Sequence, residues 1–145
     1  MKKIIKISAL LIALVLCLGL VACSSYGKIE KALTDHEYKV VEKDAVANSI
    51  ESENSKEDNG LKIHCFYKTT KLTTVYVLEV KSTDEMKELI DDSDTIKGLI
   101  SDIKNDGTAE EIYKALEEKG LVNGNCLVIA VGLDALNVYE IIKGL

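Results

Sequence analysis

Arginine, proline and tryptophan are absent from this chain of 145 residues, and all 18 basic side chains are lysine. Without arginine there is no planar fork to grip phosphate bidentately, and without tryptophan the largest aromatic stacking platform is missing. Nucleic-acid binding is not expected. With no proline and no Gly/Ser-rich stretch, no linker divides the chain. The two histidines, His36 and His64, stand alone on their segments, with no His-x-x-x-His pair and no cysteine at metal-ligand spacing, which speaks against zinc. Gly124 and Gly132 are separate turn positions rather than a phosphate cradle. There is no nucleophile elbow, and a pairing of His64 with Thr73 or Ser82 would be coincidental.

What the chain does carry begins at its start. Lys2, Lys3 and Lys6 form a basic head, residues 7–18 an apolar run, and Leu20-Val21-Ala22-Cys23 closes the segment. About a dozen apolar residues fall short of the ~20 that span a bilayer as a helix, so a cleaved signal fits better than a retained anchor. In this order the segment resembles the signal and lipobox of a bacterial lipoprotein precursor. The resemblance covers residues 1–23 and implies cleavage behind Ala22, a diacylglyceryl thioether on Cys23, and a place on the extracytoplasmic face of the cell membrane. At ~0.8 kcal/mol per buried CH₂, two acyl chains would make that anchor effectively permanent. The alternative makes Cys23 a core cysteine at the end of a buried helix. The lysine-rich, arginine-free composition is similar to that of small lipoproteins from AT-rich Gram-positive bacteria.

On this reading residues 1–22 are a signal peptide, 23–25 the lipidated terminus and a short tether, and 26–145 a single domain. Loss of 22 residues leaves 123, enough for one core. Three lysines leave with the signal and no acid does, so 15 lysines face 24 acids, a net charge of −9. That charge opposes adhesion to anionic lipid, and the lipid must do the anchoring. Two or three tether residues reach only ~10 Å, so the domain sits close to the bilayer. Only Cys65 and Cys126 remain as thiols, either as a disulfide or, the favoured reading, as two small buried apolar residues.

Tyr26, Ile29 and Leu33 recur at helical spacing, residues 38–42 read as a strand, and Asp44 is placed to cap a helix with Val46, Ala47 and Ile50 on its apolar side. The polar run 51–60 reads as an exposed, mobile loop. Residues 61–68 and 72–81 make an antiparallel hairpin around Thr69-Thr70-Lys71. Ile63, Cys65 and Tyr67 face one way and His64 and Phe66 the other; the second strand, apolar on both sides, is the more central. Capping boxes at Ser82–Glu85 and Thr108–Glu111 open helices, and Ile96, Leu99, Ile100 and Ile103 give another apolar stripe. Gly120 ends a helix with Leu121 folding back, 126–131 is a buried strand, and a closing helix carries Leu136, Tyr139 and Ile142 on one side.

These elements predict an α+β two-layer sandwich: an antiparallel or mixed four-stranded sheet with helices on one face. The order matches a ferredoxin-like split βαβ plan with added terminal helices; a hairpin-centred sheet of another strand order is the competitor.

Chemistry is sparse. Calcium-loop frames begun at Asp92 or Asp102 lack oxygen ligands where they are needed, so Asp91-Asp92-Ser93-Asp94 reads as a helix end plus the next helix's cap. No cofactor is implied, and no catalytic constellation is found. Three functional classes remain: a lipid-anchored, non-catalytic protein-interaction module with a partner at the cell surface, which is preferred; a lipoprotein binding a small ligand, cation or peptide, at a cleft lined by Tyr76, Tyr113 or Tyr139; and an enzyme. An exposed apolar patch favours the first, a tyrosine-lined pocket the second.

Overall fold

The computed structural model describes residues 25–55, 60–104 and 106–145. The signal segment and Cys23 lie outside them. In chain order the elements are α1 (Ser25–Asp35), β1 (Lys39–Val41), α2 (Ala45–Glu53), β2 (Lys62–Lys68), β3 (Thr73–Glu79), α3 (Thr83–Asp92), α4 (Asp94–Ile100), α5 (Ala109–Glu118), β4 (Val122–Asn123), β5 (Cys126–Val131) and α6 (Ala135–Lys143).

Strand alternation sets the layers. Ile63 and Cys65 of β2, Tyr76 and Leu78 of β3, and Leu127 and Ile129 of β5 face one side of the sheet, where α2 to α5 bury Ala47, Ile50, Met86, Leu89, Ile90, Ile96, Ile100, Ile112 and Leu116. The intervening residues Phe66, Val75, Val77, Cys126, Val128 and Ala130 face the other side, against Ile29 and Leu33 of α1 and Val138 and Ile142 of α6. Each such aliphatic side chain, fully buried, contributes about 1.5–3 kcal/mol. The α+β class and the helix-on-sheet sandwich are as expected. The terminal helices add a layer on the second face, which the expectation of helices on one face did not include.

The sheet has five strands, in the order β1-β2-β3-β5-β4, all antiparallel. A split βαβ unit keeps its two strands parallel with another strand between them, whereas β1 pairs directly and antiparallel with β2. The topology is therefore the hairpin-centred competitor, with β3 in the middle as its two apolar faces require. The extra strand is β4, two residues long, formed where the Gly124-Asn125 turn reverses the chain onto β5.

Local chemistry fixes the helix ends. Asp44 accepts the Ala47 N–H at 3.0 Å, and the Thr108 box is complete: Glu111 N donates to Thr108 Oγ1 at 3.3 Å and Thr108 N to Glu111 Oε2 at 2.8 Å. At Ser82 only half of the expected box forms. Ser82 Oγ accepts the Glu85 N–H, while Glu85 Oε2 is buried without a partner. Ser93 ends α3 and caps α4 through Ile96 N. Gly120, at φ 84°, ends α5, and Leu121 N returns to Leu116 O at 2.9 Å.

The helix expected from Asp44 to Glu53 is present, while the loop expected over 51–60 and the rotation of α6 are corrected. Residues 51–53 belong to that helix, whose Glu53 carboxylate is held by the hydroxyls of Ser93 and Thr95; residues 56–59 lie outside the described part. In α6 Val138 and Ile142 are buried, Ala135 and Tyr139 partly buried beside them, and Leu136 points outward, 82 % exposed.

Candidate functional site

The sheet has two ends. Lys62, Glu79 and Cys126 stand side by side at one; Lys68, Thr73 and Val131 mark the other. Helix α1 starts at the first. The Tyr26 ring stacks on His64 with centroids 3.8 Å apart, and His64 Nε2 lies 3.3 Å from Glu79 Oε2. Burial, with the charges of Glu30 and Glu79, pushes the Tyr26 hydroxyl up to about 12. This cluster fastens the first turn of α1 to β2 and β3. No group of three metal-ligating side chains occurs among the described residues.

Where α1 ends, at the second end, a buried polar chain ties three segments together. Tyr38 OH donates to Asp134 Oδ2 at 2.8 Å, Asp134 N donates to Thr73 Oγ1 at 2.9 Å, and Thr73 Oγ1 donates to Lys71 O at 2.9 Å. All three side chains are buried. Burial, then the Asp134 hydrogen bond, drives the Tyr38 hydroxyl well above its ordinary range. Satisfied networks of this kind rigidify what they hold, since each group would be costly if left unpaired.

What they hold is an apolar tip. Leu72 closes the β2–β3 connection at φ 46°, ψ 45°, a left-handed conformation unusual for a branched residue. Gly132, at φ 139°, packs its α-carbon so tightly on the Leu72 carbonyl and on Thr73 that a side chain would collide with both. The crossing sets the Leu72 backbone against Gly132, the residue between Val131 and Leu133, just ahead of α6. Leu72 is 64 % exposed, Leu133 and Leu136 are each 82 % exposed, and Val131 is half exposed. Single exposed leucines are ordinary; a group of them on a rigid, partly strained end is a candidate interaction surface.

The tip continues into a cavity of about 500 Å³ beside α6, lined by Ile103, Leu121, Leu136 and Tyr139 with charged residues at the mouth. The Tyr139 hydroxyl accepts the Ala130 N–H at 3.0 Å and donates to Ala130 O at 3.1 Å, closing the outer edge of β5. Its proton is held more tightly than in a free tyrosine because the hydroxyl is partly withdrawn from water.

The three tyrosines weighed as linings of a ligand cleft, Tyr76, Tyr113 and Tyr139, are separate. Tyr76 OH donates to the exposed Asp44, at Oδ2, at 2.5 Å, Tyr113 lies under Lys87 Nζ at 5.2 Å from its ring centroid, and Tyr139 alone lines the cavity beside α6. Cys65 and Cys126 are both free thiols and do not pair. They face opposite sides of the sheet, with β3 between their strands. Two strand spacings, ~9.5 Å, exceed the ~7 Å that a disulfide tolerates between α-carbons. Burial raises the Cys65 thiol, and burial followed by the charge of Glu79 pushes Cys126 up to about 12.

Sequence reasoning passes over Leu72 and Leu133. The available signal is leucine at turn positions, where small or polar residues are usual. No helix among the described residues is long and apolar enough to cross a membrane. No protein-family model, curated protein or solved structure matches this chain.

Proposed function

We propose that the protein is a lipid-anchored, extracytoplasmic, non-catalytic interaction module that docks a partner protein through the tip formed by Leu72, Val131, Leu133 and Leu136. The observation that carries this reading is the placement of exposed leucines, on a hydrogen-bonded rigid end, at the opposite end of the sheet from the first turn of α1. If Cys23 carries the lipid, one residue separates it from Ser25, so α1 starts at the bilayer and the tip points away from it. Burying three leucines and a valine against a partner removes apolar surface from water at ~25 cal/mol per Å², enough to supply the centre of a small interface.

The test separates anchor from tip. Cys23→Ala is expected to move the protein to the soluble fraction. In intact cells, cross-linking followed by mass spectrometry is expected to find one dominant surface partner with the native chain. That partner is lost in Leu72→Asp/Leu133→Asp even though the variant stays in the membrane. Persistence of Cys23→Ala in the membrane rejects the anchor, and an unchanged partner in the double variant rejects the tip. A small-ligand role is the second reading, supported by the Tyr139-lined cavity.

A further inference from the structure

The first turn of α1 is a weak piece of helix. It reads Ser25-Tyr26-Gly27-Lys28, with no acid among these residues. Glycine is among the poorest helix formers, and the Lys28 charge opposes the positive end of the helix dipole. Ile29, the first fully buried residue of the helix, lies beyond this turn. Contacts to the sheet hold it instead: the Tyr26 ring lies on His64 with centroids 3.8 Å apart and planes 20° from parallel, and Ser25 sits over the bare α-carbon of Gly124.

His64 is held from two sides. Tyr26 covers a face of the imidazole, while Nε2 lies 3.3 Å from Glu79 Oε2 on the neighbouring strand. The two side chains of that pair are largely withdrawn from water, at 27 % and 24 % exposure. Histidine is the side chain whose charge changes between about pH 5 and 8. On gaining its second proton it turns the Glu79 contact into a charge-assisted hydrogen bond and puts a cation on the face of the Tyr26 ring. Both changes tighten the grip on the residue that pins the first turn. The other titratable groups facing the cluster are Glu30 of α1, Lys62 opposite Glu79 in the strand register, and the Cys126 thiol of β5. Burial foremost pushes Tyr26 and Cys126 up to about 12, so neither changes charge over the histidine range.

We infer that Tyr26, His64 and Glu79 form a proton-operated clasp on the first turn of α1, closed when His64 is protonated and loosened when it is neutral, which sets how far the domain stands from its lipid. The inference deepens the docking reading and rests on it for the lipid at Cys23. Because the proton favours the closed clasp, closure is complete at low pH and is lost as pH rises through the histidine range. Unwinding residues 25–28 from ~1.5 Å to ~3.4 Å per residue lengthens the tether by about 7 Å at most, and the leucine tip moves outward with it.

The test is hydrogen exchange read by mass spectrometry on the lipidated protein in phosphatidylcholine liposomes, at about pH 5.5 and about pH 7.5, with rates corrected for the intrinsic pH dependence of exchange. The amides of residues 29–32 donate to the carbonyls of residues 25–28 and report the first turn, while those of β3 report the fold. Protection at 29–32 is expected to fall about fivefold between the lower and the higher pH, with β3 unchanged. His64→Phe, which keeps a ring beneath Tyr26, should abolish the difference, and Glu79→Gln should shrink it. His36→Gln should leave it intact, since His36 sits at the far end of α1 with Nδ1 2.8 Å from Ala32 O. Equal protection at both pH values in the native chain, a difference that survives His64→Phe, or one that vanishes with His36→Gln would overturn the clasp. Energy transfer from a dye on Leu133→Cys to labelled lipid should show the tip moving outward as pH rises; a fixed height would overturn the control of reach. A chain that leaves the liposomes but keeps the pH-dependent protection would sink the anchor and leave the clasp standing. A liposome-bound chain without that pH dependence would do the reverse.

Discussion

Thr73 bears more of the molecule than its size suggests. Its hydroxyl takes the Asp134 N–H and gives its own proton to the Lys71 carbonyl, so one buried oxygen joins the β2–β3 connection to the start of α6. Thr73→Val keeps the shape and removes both bonds, leaving the buried Asp134 N–H without its acceptor; a loss of about 1–3 kcal/mol is expected in denaturant unfolding. Gly132→Ala should cost at least as much. Its φ of 139° is strained for alanine, and the added carbon would collide with the Leu72 carbonyl and Thr73. Little change in either variant would mean that the tip is not rigidly held. The thiols give a separate check. Burial raises both Cys65 and Cys126 above the ordinary thiol range, so neither should react with a disulfide reagent near pH 8 until the protein unfolds. Fast reaction of one equivalent in the folded protein would contradict the burial described.

Among the elements, hydrogen bonds at helix starts contribute to acid sensitivity, beside the Lys87 bond that lowers Glu110. The Thr108 N–H is the main influence holding the Glu111 carboxyl below its ordinary range, and the Ser93 hydroxyl is the main one for Glu53. Both folded values are depressed, so each contribution is complete above the unfolded carboxylate pKa of ~4.3 and is lost as pH falls through the folded values. Stability should decline below about pH 4.5, and Glu53→Gln combined with Glu111→Gln should flatten that decline. An undiminished slope would place the acid sensitivity elsewhere. Thr108→Ala should cost about 1 kcal/mol at neutral pH through the lost cap.

The same elements show what the sequence makes legible. The Thr108 box, the Gly120 stop, the Asp44 cap and the β2–β3 hairpin are local, and each is readable from residues a few positions apart. The rotation of α6 is not. Leu136-Tyr139-Ile142 and Ala135-Val138-Tyr139-Ile142 are both valid apolar stripes. The choice between them follows from Asp134, whose bonds to Tyr38 and Thr73, 96 and 61 residues away in the chain, turn Val138 inward and Leu136 outward. The separation of Cys65 from Cys126, the edge position of β1 and the leucine tip likewise depend on strand order, which short-range pattern does not encode. Of the tyrosines expected at a site, only Tyr139 lines the cavity, because Tyr76 satisfies its hydroxyl on Asp44 and Tyr113 packs beneath Lys87.

At the scale of the molecule, residues 82–120, which include α3, α4 and α5, hold 12 of the 24 acids against five lysines. The three most exposed leucines, Leu72, Leu133 and Leu136, sit on the turn that leads into β3 and at the start of α6, while Val40, Val41 and Leu145 are exposed elsewhere. The two surfaces predict opposite salt responses. Docking through the leucine tip should persist or strengthen between about 0.1 and 1 M salt, whereas docking through the acidic helices should weaken over that range.

Position-specific photo-cross-linking in intact cells tests the tip as a docking surface most directly, with a benzophenone amino acid placed either at Leu133 on the tip or at Lys114 on the exposed side of α5. One discrete adduct is expected from position 133, lost with Cys23→Ala, and none from position 114. Adducts from position 114 alone, or the same diffuse labelling from both, would contradict docking through the tip.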